Sequence, residues 1–171
     1  MSLPGQTLIS GADIQSRVRE LGQEISDYYG AGPVTIIGLM NGALFFLVDL
    51  LRAISFENEV ECWRVTSYQG TESSGRLRGL SHYKKSLKKQ RVLLVDDILD
   101  TGTTLFEVCE HLRELGAEEI KVCVLLNKKR KRLHPVKADW QGFEINDQFV
   151  IGYGLDLDGR YRSLPMIRIL G

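Results

Sequence analysis

The chain has 171 residues, with 22 Lys+Arg against 22 Asp+Glu and a formal net charge of zero. A domain of this length buries roughly 70% of the surface its unfolded chain exposes, so one domain over residues 1–171 is expected, without disulfides to staple it. A charged fraction of 26% and a hydrophobic fraction of 43% exclude a disordered chain, and neutrality leaves no general field for nucleic acid or anionic lipid.

Cys62, Cys109 and Cys123 are odd in number, carry no C-x-x-C spacing and sit in apolar stretches. They read as buried free thiols of a reducing compartment. Met1-Ser2-Leu3-Pro4-Gly5 has neither the basic lead nor the apolar core of a leader peptide. The longest apolar run, Ala43 to Val48, is far short of the ~20 residues a membrane helix needs. A cytoplasmic location away from membranes is expected.

The first ordered element reads as an amphipathic helix. Ser10 and Asp13 have the form of a cap, and Ile14, Val18, Leu21, Ile25 and Tyr28 recur at helical spacing until Gly30-Ala31-Gly32-Pro33. Val34 to Ile37 is a β-branched strand, Leu39-Met40-Asn41-Gly42 a tight loop, and Leu44, Leu47, Val48 and Leu51 a second helix. Val60 to Thr66 reads as a strand, and Tyr68 to Gly79, rich in Gly, Ser and Thr, as a long loop with little to bury.

Arg91-Val92-Leu93-Leu94-Val95 is a continuous apolar strand bounded by Asp96-Asp97, the pattern of a central parallel strand covered on both faces. Leu105, Val108, Cys109, Leu112 and Leu115 mark a helix ending at Gly116, and Ile120 to Leu126 the next strand. Repeated βαβ units predict an α/β fold, an open, mostly parallel sheet with helices on both faces, which binds ligands beyond the carboxyl ends of its strands.

The chemistry concentrates at one such end, Val92-Leu93-Leu94-Val95-Asp96-Asp97-Ile98-Leu99-Asp100-Thr101-Gly102-Thr103-Thr104-Leu105. A Thr/Gly loop opening a helix offers N–H groups, hydroxyls and a favourable dipole to a phosphate. The acids would repel that phosphate, and make sense if they hold sugar hydroxyls or a Mg2+ that bridges to other phosphates. Either half alone could be a strand-end cap or a turn before an N-cap. A Walker loop is excluded, because no Gly-Lys-Thr or Gly-Lys-Ser is present.

This segment resembles the phosphoribosyl-pyrophosphate motif of type I phosphoribosyltransferases. Leu125 to Lys129, Trp140 to Ile145, Phe149 to Asp156 and Tyr161 to Pro165 are similar to the C-terminal half of the hypoxanthine-guanine members, with Ser67-Tyr68 and Ser73-Ser74-Gly75 in the matching order. The resemblance runs from about Val34 to Arg168 and implies the type I phosphoribosyltransferase fold with a small base-binding hood over about 128–171.

The resemblance also implies roles. Asp96 and Asp97 face the ribose hydroxyls and, through water, a metal. Asp100 meets the purine N7 as general acid/base, and Thr101, Gly102, Thr103 and Thr104 hold the 5′-phosphate. Lys128 donates to the purine O6, Phe149 stacks on the base, and the Val150 backbone faces the base edge. Leu39, Met40, Asn41 and Gly42 form the pyrophosphate loop with Arg162 beside it, and Asp156 binds a second Mg2+. Tyr68 to Gly79 becomes a lid, with Ser67 and Tyr68 at its base. Without the resemblance, Phe149 reads as core, Asp156 and Arg162 as a turn or surface pair, and Lys129, Arg130 and Lys131 as a solvated stripe. Asp96 stands where many purine enzymes have Glu, and Met40 where several have Lys.

The implied activity is Mg2+-dependent transfer of phosphoribose from phosphoribosyl pyrophosphate to N9 of hypoxanthine or guanine, by a homodimer or homotetramer. The alternatives are another base, xanthine or a pyrimidine, and a regulatory member that binds nucleotide or RNA through the Lys128 to Lys137 run. The chain keeps Asp100 and Asp156, which a binding-only protein could lose, and its neutral total leaves nucleic acid outside the expected partners.

Overall fold

The computed structural model describes residues 4–65 and 79–170. Its main sheet has five strands, β2 (Val34–Met40), β3 (Asn58–Arg64), β4 (Arg91–Leu99), β5 (Glu119–Lys128) and β6 (Trp140–Ile145), after a short β1 (Gln6–Ile9). They run in the order β3-β2-β4-β5-β6, and every pair is parallel. The βαβ pattern therefore gives the sheet expected of it, with β4 in the centre.

Helices cover both faces. Helix α1 (Gly11–Tyr29) starts where the Ser10 hydroxyl accepts the Asp13 N–H at 3.1 Å, and stops at Gly30, whose φ is 58°. It packs with α2 (Leu44–Ala53) on one face, joining Ile14, Leu21 and Ile25 to Ile36, Leu93 and Val95 of the sheet. Helix α3 (Thr103–Glu114) lies on the other, joining Leu105, Val108 and Leu112 to Ile37, Leu94 and Val124. Alternation along β2 and β4 feeds both cores, which explains why these strands read as continuous apolar runs.

Two expectations need correction. β4 does not stop at the acid pair. Its pairing with β2 ends at Gly38↔Val95, but its pairing with β5 continues through Asp96↔Val124 and Ile98↔Leu126 to Leu99↔Asn127. Cys62 is exposed while Cys109 and Cys123 are buried, because Cys62 lies on the edge strand beside Trp63, which takes the inward position.

A second, antiparallel sheet combines β1 with β7 (Val150–Ile151) and β8 (Ile167–Ile169), in the order β1-β8-β7. Residues far apart in sequence thus build the small layer beside the carboxyl end of the main sheet. Among the described residues, no helix is long and apolar enough to cross a membrane.

Candidate active site

A cleft of about 240 Å³ opens at the carboxyl ends of β2 and β4, lined by Leu39, Met40, Gly42, Asp96, Asp97, Asp100, Thr101, Gly102 and Thr104, with Val65, Ile98, Leu99 and Leu105. This is the place where parallel sheets bind ligands.

The acid pair forms the floor. Asp96 is buried, and its Oδ1 accepts the Asp97 N–H at 3.0 Å. Burial first, and then the neighbouring Asp97 charge, push the Asp96 carboxyl well above the usual carboxylate range. Burial raises Asp97 too, opposed by its hydrogen bond with Asp96, by backbone N–H groups and by the charge of Arg162.

The Thr/Gly loop lies immediately beyond. Gly102 precedes α3 with φ 86°, a left-handed conformation that suits glycine. The Thr101 and Thr103 hydroxyls lie 3.2 Å apart, and the first turn of α3 holds no acid. The helix N-terminus thus keeps its positive end clear of carboxylates, as an anion site requires.

On the opposite wall, Met40 and Asn41 are joined by a cis peptide. A Cβ built on Gly42 would fall 1.8 Å from Asp97 Oδ2, and one on Gly154 2.0 Å from the Gly42 carbonyl oxygen. Glycine is needed at both positions for the loop to seat between the acid and the 152–154 turn. Arg162 completes this corner: it donates to the Gly154 carbonyl at 2.6 Å and pairs with Asp156 Oδ1 at 2.7 Å. Asp156 Oδ2 accepts the Gly159 N–H at 2.7 Å.

Asp100 and Lys128 meet directly, with Nζ 3.0 Å from Oδ2. Asp147 Oδ1 lies 3.4 Å from the same ammonium. Phe149 is 52% exposed, so it is not the core residue its composition suggests, while Val150 beside it is buried. Ser67 and Tyr68 lie outside the described residues, as does all of the expected lid but Gly79.

The basic run is not a uniform solvated stripe. Lys129 pairs with Glu144 at 2.9 Å and Lys131 is exposed, but Arg130 Nη1 lies 2.9 Å from Asp100 Oδ1 and 3.4 Å from Asp147 Oδ1. Arg132 is half-buried against backbone carbonyls at the ends of β4 and β5. Sequence reasoning read Arg130 as part of a solvated stripe and passed over Arg132 and Asp147. The alternation of Lys128, Arg130 and Arg132, which is the two-residue period of extended chain, is the signal that was available.

The donor chemistry suits magnesium carried in with a phosphate ester. Two adjacent carboxylates, one with unusually high proton affinity, favour a divalent cation. Among the described residues no cluster of three or more His, Cys, Asp or Glu could hold a metal alone, so phosphate oxygens and water would supply the remaining ligands.

A model of the phosphoribosyl transferase domain matches residues 10–158. The hypoxanthine-guanine phosphoribosyltransferase of Aquifex aeolicus is 41% identical over 162 residues, which cover 94% of this chain and 91% of the relative. The hypoxanthine-guanine-xanthine phosphoribosyltransferase of Tritrichomonas foetus is 36% identical over 166 residues, 96% of this chain and 91% of the relative. Among solved structures, a hypoxanthine phosphoribosyltransferase from Staphylococcus aureus superposes with a TM-score of 0.90 at 34% identity, covering 97% of this chain and 91% of that one.

Proposed function

The chain belongs to the phosphoribosyl transferase domain family, and from that premise we propose that it is a purine-salvage hypoxanthine-guanine phosphoribosyltransferase. It joins phosphoribose from phosphoribosyl pyrophosphate to N9 of hypoxanthine or guanine. The observation that carries this reading is the 3.0 Å contact of Lys128 with Asp100 beside the Thr101 to Thr104 loop. It sets a donor for a 6-oxo group and a carboxylate for the imidazole edge next to a phosphate site.

In this reading the 5′-phosphate sits on the N–H groups and hydroxyls of Thr101, Gly102, Thr103 and Thr104, and the ribose hydroxyls face Asp96 and Asp97. The purine stacks on Phe149 with its edge facing the Val150 backbone, its O6 accepting from Lys128. As the N9–C1 bond forms and the C1–oxygen bond to pyrophosphate breaks, the imidazole proton passes to the Asp100 carboxylate. Leu39, Met40, Asn41, Gly42 and Arg162 receive the departing pyrophosphate, with backbone groups replacing any lysine at Met40.

Asp96 and Asp97 would hold Mg2+ through water, and Asp156 a second ion on exchanging its contact with Arg162; bound there, the metal neutralises the phosphate charge. The cytoplasm is the fitting compartment. The apolar face that α2 exposes at Leu44, Phe45 and Val48 supports a homodimer or homotetramer.

The test is pyrophosphate release from phosphoribosyl pyrophosphate and Mg2+ with hypoxanthine, guanine, xanthine, adenine and a pyrimidine in turn. Turnover with hypoxanthine or guanine is expected, and its absence from both overturns the assignment.

A further inference from the structure

Asp100 and Lys128 each stand one residue beyond Leu99↔Asn127, the last pair of the β4–β5 ladder. No further rung fixes their separation, although the proposed chemistry depends on it. Lys128 and Arg130 reach the Asp100 carboxylate, but it is the Arg132 side chain that ties the two backbones together. Arg132 Nη1 donates to the Leu99 carbonyl at 3.0 Å and to the Asp100 carbonyl, while Nη2 donates to the Lys128 carbonyl at 3.0 Å and to Asn127 Oδ1. Asn127 in turn donates to Gln141 Oε1 on β6. The Leu133 N–H donates to the Thr101 carbonyl at 2.9 Å, tying the same segment to the Thr/Gly loop.

A guanidinium suits this task. It is planar and permanently charged, and it offers rigid forks of donors along two edges; an ammonium on a flexible stem cannot address both strand ends at once. Both Arg132 amino groups are turned onto backbone carbonyls and Asn127, so its effect on substrate passes through the residues it holds.

We infer that Arg132 is a positioning residue that fixes the separation of Asp100 and Lys128, and with it the geometry of proton transfer at the purine. The inference rests on the phosphoribosyltransferase reading. Because misplacement by about 1 Å can cost a hundredfold in rate, Arg132→Met is expected to lower kcat by about 10- to 100-fold. The KM for phosphoribosyl pyrophosphate should stay within about threefold, since the Thr101 to Thr104 amides still meet the phosphate. Arg132→Lys should fall between, recovering one strand end but not both.

Amide hydrogen exchange provides a readout without turnover. Exchange should quicken across residues 99–104 and 127–133 in Arg132→Met and stay unchanged in the buried strand residues 92–95. An active parent enzyme with kcat unchanged in a folded Arg132→Met, or unchanged exchange in those segments, overturns the inference. A parent enzyme without turnover, with the exchange effect present, overturns the phosphoribosyltransferase reading and leaves the clamp standing. Should Arg132→Met fail to fold, Arg132→Lys decides: kcat at least about fivefold below the parent supports the inference, and parental kcat overturns it.

Discussion

Lys128 and Asp100 form their 3.0 Å ion pair because β4 and β5 end level, with Leu99 opposite Asn127 in the ladder. Both oxygens of Asp100 are engaged before any base arrives, Oδ2 by Lys128 and Oδ1 by Arg130. A purine bound as proposed would therefore exchange one set of partners for another instead of filling a void. In the proposed reading, Lys128 would gain an O6 and Asp100 an imidazole edge, with Asp147 beside both cations.

Replacing Asp100 by Asn keeps the volume and removes the proton acceptor. We expect kcat to fall by about 10²- to 10⁴-fold, the usual contribution of a positioned acid/base, with the melting transition little changed because Asp100 is outside both cores. Steady-state kinetics beside a thermal melt checks this, and an unchanged kcat removes Asp100 from the role.

Lys128→Ala removes the donor that an amino group at the 6-position cannot use. The preference for hypoxanthine over adenine in kcat/KM is expected to drop at least about tenfold, since an unmatched hydrogen-bonding group is a strong source of discrimination. Competition between the two bases measures the ratio, and a constant ratio contradicts the assignment.

Gly42→Ala would place a methyl group 1.8 Å from Asp97 Oδ2, so the carboxylate must turn away. A fall of at least about tenfold in kcat/KM for phosphoribosyl pyrophosphate is expected, in line with the sensitivity of catalysis to small displacements. Gly30→Ala is the control: φ is 58° and nothing lies within 4 Å of the added carbon. It should cost about 1–3 kcal/mol of stability without touching kinetics. Equal kinetics in the two variants would show that the Gly42 contact is unimportant.

The raised proton affinity of Asp96 carries a pH signature. The folded protein holds this proton through an interval in which the unfolded chain has already lost it, so across that interval stability falls as pH rises. Asp96→Asn removes the cost of a buried charge. It should stabilise the free protein at neutral pH by on the order of 1 kcal/mol, about 2–4 °C in Tm for a chain of this size. The gain should shrink as pH drops and disappear below about 4, where the unfolded chain binds the proton as well. Scanning calorimetry of both proteins against pH checks this, and a Tm difference independent of pH would refute it.

The parts legible in the sequence are those with local patterns. Ser10 and Gly30 bracket α1 where the cap and glycine predict, and Val92 to Val95 lies at the centre of the sheet as its unbroken apolar character requires. β1, β7 and β8 were not legible. They have four, two and three residues, too few for periodicity to register, and exist through pairing such as Thr7↔Arg168. The contact of Asp100 with Lys128 is likewise a property of register, while Arg132 was hidden by its basic neighbours, whose charge reads as surface.

The middle position of β8 in the small sheet constrains the order in which the molecule can become whole. Strands β2, β4 and β5 and the N-terminus of α3, which surround the cleft floor, are available once the chain has been synthesised through Lys128. The β1-β8-β7 layer has to wait for Ile167–Ile169, because β8 is the strand that joins the other two. On the ribosome, β1 would emerge first and find its partner last. A nascent chain would therefore possess the acid pair and the Thr101 to Thr104 loop of its cleft well before the layer that contains Val150.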